Sequence, residues 1–390
     1  MAEGAAPAEP GLEARGTPLA GSSGWAEPDR SRPGRRLLLC GYYGEHNLGD
    51  DALLAALLSQ LPAGCEPLVT AWDQDQVRQR FGIATVDRRS LVGVVRALGR
   101  CDALVLGGGS LLQDATSFQS LIYYAVLILA ARAQGKPVGL WGQGLGPLRR
   151  RRSRALVRQL LPLVTAASWR DPDSAALAAS WGVAGIEGSD PVWGLRPRTW
   201  RGRGGPIVVC WRPVSQLQGP SWRPYLQALA RVAAAQDRPV LWLPFHSHQD
   251  RRLLTDLQTE ELLPADLGQR SQLVAAADPE EALELFRSAG LVVAMRLHGL
   301  ILAALGGAPT AALSYDPKVA AAAAAIGCPC HGLEAPPPPD LADQWLACLD
   351  NPADPATVRA LHDRAEHHRA VLERLMPLLP PGPGTPPTPT

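Results

Sequence analysis

The chain is 390 residues long, with 38 Lys and Arg against 37 Asp and Glu, a formal net charge of +1 and 46% hydrophobic residues. That length accommodates two domains of ordinary size, and a charge near zero supplies no global field for a polyanion, which argues against a nucleic-acid-binding protein. Any basic site must therefore be local. The longest apolar run, residues 121–131, is interrupted by Tyr123 and Tyr124 and stops at Arg132. It falls well short of the ~18–20 residues of a membrane span, so a soluble protein is expected. The first residues, MAEGAAPAEPGLEARG, show no basic n-region or apolar h-region and do not read as a secretory signal. The seven cysteines are scattered, odd in number and mostly inside apolar runs (Cys40, Cys210, Cys348), which suits free thiols in a reducing cytoplasm. Lysine occurs only at Lys136 and Lys318, so the abundance of arginine carries little functional weight by itself.

In chain order, residues 1–34 are rich in Gly, Pro, Ala and Ser without a hydrophobic period and read as a disordered tail. Short apolar runs then alternate with helical patterns: RLLLCG, a helix over 50–61, ALVLGGG, a helix near 117–134, and PVGLWGQG. Strand, glycine turn and helix, repeated, is the signature of a parallel α/β sheet. A Pro/Gly/Arg-rich linker at 195–206 separates this unit, 35–197, from a second, 205–350. The second unit runs IVVCWRP, a helix over 222–236, PVLWLPF, a helix over 279–288, LVVAM, a helix over 298–305, and TAALSY. The fold class expected is α/β, two Rossmann-like doubly wound domains whose strand ends face a cleft. A helix at 355–376 is expected to pack back on the first domain, and 377–390 reads as a second disordered tail.

The segment GYYGEHNLGDDALL (41–54) follows the first strand and opens a helix, but its glycines fit neither a dinucleotide fingerprint nor a P-loop. Asn47 and Asp50 read either as a cap and tight turn or as groups that bond sugar hydroxyls and assist proton transfer. Gly107 to Ser110 follow a strand and WGQGLGP (141–147) ends the next one, so two glycine loops open on one sheet edge; a ligand cleft explains the pair better than two separate turns. In the second unit, Arg296, Leu297 and His298 stand at a strand end, Arg212 stands in the equivalent place after IVVCW, and Lys318 follows a third strand. Three such cations would converge on a compact anion, with His298 placed for acid or base work. His246 and His248 lack a third ligand and read as loop residues, and nothing completes a tetrahedral set around Cys328, Cys330 and His331, so no metal is expected. The run Arg149–Arg152 with Arg154 and Arg158 reads as a solvated face, or as a contact for anionic lipid headgroups or a diphosphate.

GYYGEHNLGDDALL, GGGSLLQD (107–114), GQGLGPL (142–148) and above all MRLHGLILAALGG (295–307) followed by SYDPKV (314–319) resemble the polysaccharide pyruvyl transferase family, specifically its CsaB type, from about residue 36 to 350. The resemblance implies a GT-B-like pair of domains and phosphoenolpyruvate as donor. It implies transfer of the pyruvyl group onto two hydroxyls of one sugar, giving a cyclic ketal and phosphate. In the CsaB type the acceptor is N-acetylmannosamine in a lipid-diphosphate-linked cell-wall glycan precursor, which implies a cytoplasmic enzyme meeting the inner face of a membrane. The family's donor arginine falls on Arg212 and its Arg-Leu-His motif on Arg296, Leu297 and His298, with Lys318 in support. His298 is then the acid, Asp50 or Asp114 the proton acceptor, and Asn47, Asp50, Gly108, Gly109 and Gln143 the acceptor-binding groups. No cofactor is expected besides the co-substrate phosphoenolpyruvate. The alternatives are a nucleotide-sugar glycosyltransferase or epimerase, and a catalytically silent glycan-binding protein.

Overall fold

The computed structural model describes residues 35–115 and 117–379; the tail at 1–34 and residues 380–390 lie outside the described residues. The first sheet contains β1 (Arg35–Tyr43), β2 (Cys65–Ala71), β3 (Ala84–Asp87), β4 (Ala103–Gly107), β5 (Val138–Gln143), β6 (Ala166–Trp169) and β7 (Ile186–Glu187). The second contains β8 (Ile207–Cys210), β9 (Val240–Trp242), β10 (Ser271–Leu273), β11 (Leu291–Ala294), β12 (Thr310–Ser314) and β13 (Cys330–Gly332). Their orders are β3-β2-β1-β4-β5-β6-β7 and β10-β9-β8-β11-β12-β13, with the pairs parallel throughout. Each sheet reverses its winding between its first strand in sequence and its fourth, so the crevices above β1/β4 and β8/β11 are where a ligand is expected to sit. The central strands are apolar runs because helices cover both faces. Leu37 to Cys40, Leu104 to Leu106 and Val292 to Ala294 are fully buried.

The two units share a core behind the cleft. The helix Leu48–Ser59 carries Leu48 and Leu53 into one cluster with Phe245, Phe286, Leu300 and Ile301 of the second unit. Two backbone bonds close the seam, Leu48 N–H to Phe245 C=O at 2.8 Å and Ser247 N–H to His46 C=O at 3.0 Å. The segment at 195–206 forms no regular element and is strapped to the second unit, with Trp200 Nε1 donating to Ala289 C=O at 2.8 Å.

The C-terminal segment departs from the expected single helix. It forms two, Pro355–Glu366 and Arg369–Leu375, because its halves pack on different surfaces: Val358 and Leu361 join Val192 and Trp193, whereas the second helix lies against β5 and β6, with Val371 and Leu375 over Gly139. Between them His368 is fully buried, donates from Nε2 to Ser189 C=O at 2.7 Å and meets Trp141 edge-on. Burial pushes its pKa down to about 4, so it stays neutral. The order also extends past 376, where Met376–Leu378 makes a 3-10 turn and Leu379 is buried.

Candidate active site

The second unit presents two arginines tied together by the loop that follows β9. Arg296, the residue before the helix Leu297–Leu305, donates from Nε to Asp250 Oδ2 at 3.0 Å and from Nη2 to Asp250 Oδ1. The Asp250 side chain is fully buried and also accepts the Phe245 and His246 N–H groups at 3.1 and 2.9 Å. Gln249 Oε1 accepts from Arg296 Nη2 at 3.2 Å and from Arg212 Nη2 at 3.3 Å, so one amide oxygen holds both guanidiniums side by side. Arg212 also donates to the Tyr315 hydroxyl at 3.2 Å, with its guanidinium over that ring at 5.1 Å from the centroid. It has no carboxylate partner among the described residues. Of the Cys210-Trp211 pair before Arg212 both are buried, and Trp211 turns away to pack among Trp222, Trp242 and Trp345.

His298 lies between the two units. Its ring rests on the start of the helix Leu48–Ser59, where a Cβ on Gly49 would stand 2.3 Å from Nδ1, so only glycine admits the close approach. The Nε2 atom is buried without a hydrogen-bond partner, and the nearest anion is Asp190 Oδ1 at 3.6 Å. Asp190 is anchored by Val192 N–H at 3.1 Å and by Arg170 Nη1 at 3.3 Å. Burial alone would raise the Asp190 carboxyl; the charges of His298 and Arg170 outweigh it and hold the group well below the usual carboxylate range. Arg170 reaches Ser110 Oγ at 3.1 Å, and Lys318 Nζ reaches the same oxygen from the other unit at 3.3 Å. Burial, and then the charge of Arg170, lower the Lys318 pKa.

Asn47 caps its helix through Gly49 N–H at 3.1 Å and donates from Nδ2 to Asp50 Oδ2 at 2.6 Å. Burial raises the Asp50 pKa to about 6 even though His298 and Asn47 pull it down, which places a carboxylate of near-neutral pKa beside His298. Gly108 and Gly109 adopt φ of +65° and +75°, the left-handed turn that lets the loop after β4 fold over Leu53. Gln143 is buried beneath that loop, donating to the Leu106 and Gly108 carbonyls at 3.2 and 3.0 Å and accepting from Leu111 N–H, so both its amide hydrogens are engaged in holding the turn. Asp114 accepts the Arg149 and Arg150 N–H groups at 2.8 Å each and fixes the start of the next helix instead of joining His298. The structure thus brings together Asn47, Asp50, Arg212, Arg296, His298 and Lys318, and adds Ser110, Arg170, Asp190, Gln249, Asp250 and Tyr315.

A cavity of about 680 Å³ opens beside Asp190 and Lys318, walled by Ser110, Gly144, Arg149, Arg170, Trp193, Leu297 and Ile301 and floored by Ala321, Ala322 and Ala325. Among the described residues no group of three or more His, Cys, Asp or Glu is arranged to hold a metal ion. His46, His246 and His248 form ring contacts across the seam, and Cys328, Cys330 and His331 assemble no ligand set.

Two parallel doubly wound units with cation-rich strand ends facing one interdomain cleft define the class: an α/β protein of GT-B architecture. The solved structures it is similar to are of that type. The UDP-GlcNAc 2-epimerase from Methanocaldococcus jannaschii is 10% identical, with a TM-score of 0.58 over 87% of this chain and 99% of that one. The UDP-GlcNAc 2-epimerase from Neisseria meningitidis is 12% identical, with a TM-score of 0.56 over 88% of this chain and 100% of that one. A glycotransferase of kitacinnamycin is 14% identical, with a TM-score of 0.53 over 90% and 100%. Such identities show the fold alone. The curated proteins give no match. Residues 47–317, well over half of the chain, match the polysaccharide pyruvyl transferase family, and the chain belongs to it.

Proposed function

We propose that the protein transfers the pyruvyl group of phosphoenolpyruvate onto two hydroxyls of one sugar, forming a cyclic ketal and releasing phosphate. The observation that carries this reading is the paired arginines, Arg212 and Arg296, held side by side by Gln249 one residue from the His298 helix turn. Phosphoenolpyruvate bears a carboxylate and a phosphate on one carbon skeleton, and planar guanidiniums bind both groups better than point charges do. His298 donates a proton to the methylene carbon, leaving C2 electrophilic, and a sugar hydroxyl adds there while Asp50 takes its proton. The C2–O bond to phosphate then breaks, the phosphate leaving with the proton held by Asp50, and the second hydroxyl attacks C2 and gives its proton to His298, which closes the ketal and restores both groups. Lys318 and Arg170, which meet at Ser110, face the charge that builds on the departing phosphate.

The acceptor occupies the 680 Å³ cavity, whose polar rim and apolar helix faces suit a sugar joined to an apolar carrier. We read the acceptor as N-acetylmannosamine of a lipid-diphosphate-linked glycan precursor, as in the CsaB type, with Arg149 at the rim available to a diphosphate, and the setting as the cytoplasm at the inner face of the membrane. No helix among the described residues is long and apolar enough to cross a membrane. No cofactor or metal enters the proposed reaction.

The test is acceptor-dependent phosphate release from phosphoenolpyruvate, followed against pH. Because Asp50 serves as the base and has a pKa of about 6, it is ionised above that value and protonated below it. The rate is expected to rise through about pH 6, and Asp50→Asn is expected to lower the rate and remove that limb. An unchanged profile in Asp50→Asn removes Asp50 from the reaction, and no phosphate release with any glycan acceptor removes the reading itself.

A further inference from the structure

The outer face of the first unit carries a charge asymmetry that the chemistry of the cleft does not use. Over residues 115–170 the chain has nine Lys and Arg and no Asp or Glu, although the whole chain is balanced at 38 to 37. Six of the nine lie between positions 149 and 158. The helix Arg151–Leu160 turns Ser153, Val157 and Leu160 inward and leaves Arg151, Arg152, Arg154 and Arg158 exposed. Among the described residues none of these four has a carboxylate partner.

Helix stability does not explain the placement. Arginines in the first turn sit at the positive end of the helix dipole, and Asp114, which holds the Arg149 and Arg150 N–H groups there, forms no ion pair with any of the four exposed side chains among the described residues. Compositional bias explains arginine in place of lysine; it does not explain like charges gathered where a helix tolerates them least. An anionic partner outside the chain does.

The neighbouring helices say which kind of anion. Phe118–Ala133 packs beside the arginine helix, with Arg152 over the Phe118 ring at 4.1 Å, and it exposes Ile122 and Leu129, seven residues apart on one face. On its other side the helix Leu91–Gly99 exposes Val92, which is 62% accessible. Cations without carboxylates beside outward apolar side chains form the pattern of a surface that lies on a charged bilayer: the guanidiniums meet headgroup phosphates and the apolar groups enter the acyl boundary. A nucleic acid would engage the cations and leave the apolar row in water. We propose that this three-helix face docks on an anionic lipid membrane. Arg149, where the cationic run begins, also lines the cleft cavity, so docking brings the cavity mouth toward the lipid. The surface is distinct from the reacting groups, and its test needs no turnover.

Full-length protein is sedimented with vesicles of phosphatidylcholine alone and of phosphatidylcholine with phosphatidylglycerol, at low and high salt. Binding is expected only with phosphatidylglycerol and is expected to weaken with salt. A basic residue near an anionic surface is worth about fivefold in partitioning, so the combined Arg151→Gln, Arg152→Gln, Arg154→Gln and Arg158→Gln protein is expected to bind roughly a hundredfold or more weakly. Leu129→Ser with Ile122→Ser, both at exposed positions, is expected to lower binding severalfold without a change in Tm. Equal binding to neutral vesicles, undiminished binding of the arginine variant, or stronger retention on double-stranded DNA than on the anionic vesicles at the same salt would overturn the proposal.

Discussion

Arg212→Ala is expected to lower kcat/KM for phosphoenolpyruvate roughly thirtyfold to several thousandfold, the ~2–5 kcal/mol typical of removing one partner from a desolvated charge contact. Its Tm is expected to change little, because the guanidinium is only part-buried and bonds Tyr315 and Gln249 without a carboxylate. Arg296→Ala loses activity in the same way, but the fold is expected to suffer as well. Asp250, whose side chain is fully buried, would keep only the N–H groups of Phe245 and His246. Breaking a buried pair from one side costs about 3–5 kcal/mol. Adding Asp250→Asn to Arg296→Ala is therefore expected to recover stability and leave activity lost. Kinetics of both single variants with near-normal kcat/KM would contradict the donor clamp.

His298→Gln is expected to slow the single-turnover chemical step by about 10²–10⁴-fold with a smaller change in donor affinity, since positioned proton transfer is worth that much. A loss of donor affinity at an unchanged single-turnover rate would make His298 a phosphate ligand. Asp190→Asn distinguishes positioning from packing. The carboxylate faces His298 Nε2, which is buried without a hydrogen-bond partner, so its neutral isostere is expected to lower kcat and alter the pH profile while KM for phosphoenolpyruvate holds. A role confined to packing would change Tm and leave the profile as it was.

The central strands and their glycine loops were legible because parallel strands buried on both faces must be continuous apolar runs: LLLC, ALVL, IVVC and LVVA all appear as such. The edges were not, since β7 is Ile186-Glu187 and β10 is Ser271–Leu273, too short and too polar to show a period. Cations at strand ends pointed to Arg212, Arg296 and Lys318, and the same signal stands at Arg170, directly after β6. Asp250 and Asp190 carry no local signature. Their roles come from loops of one element meeting another 46 residues away for Asp250 and Arg296, and across the cleft for Asp190 and His298. A largely buried arginine does require an acid, and the loop PFHSHQD after β9 contains the one it pairs with. Spacing placed Asp114 and Gln143 beside the glycine loops; whether such a residue faces the ligand or braces the turn depends on χ angles that spacing does not encode.

The central claim is that this GT-B-like scaffold has a compact anionic donor, although the solved structures it resembles include enzymes named for UDP-GlcNAc. The direct measurement is a thermal-shift comparison of phosphoenolpyruvate with UDP- and GDP-sugars on the wild-type and Arg212→Ala proteins. A ligand at ~100 times its Kd stabilises the folded state by ~2.7 kcal/mol, worth a few degrees in Tm for domains of this size. Phosphoenolpyruvate is expected to give that shift on the wild-type protein and to lose it with Arg212→Ala, while the nucleotide sugars give little. A shift with a nucleotide sugar and none with phosphoenolpyruvate would contradict the account.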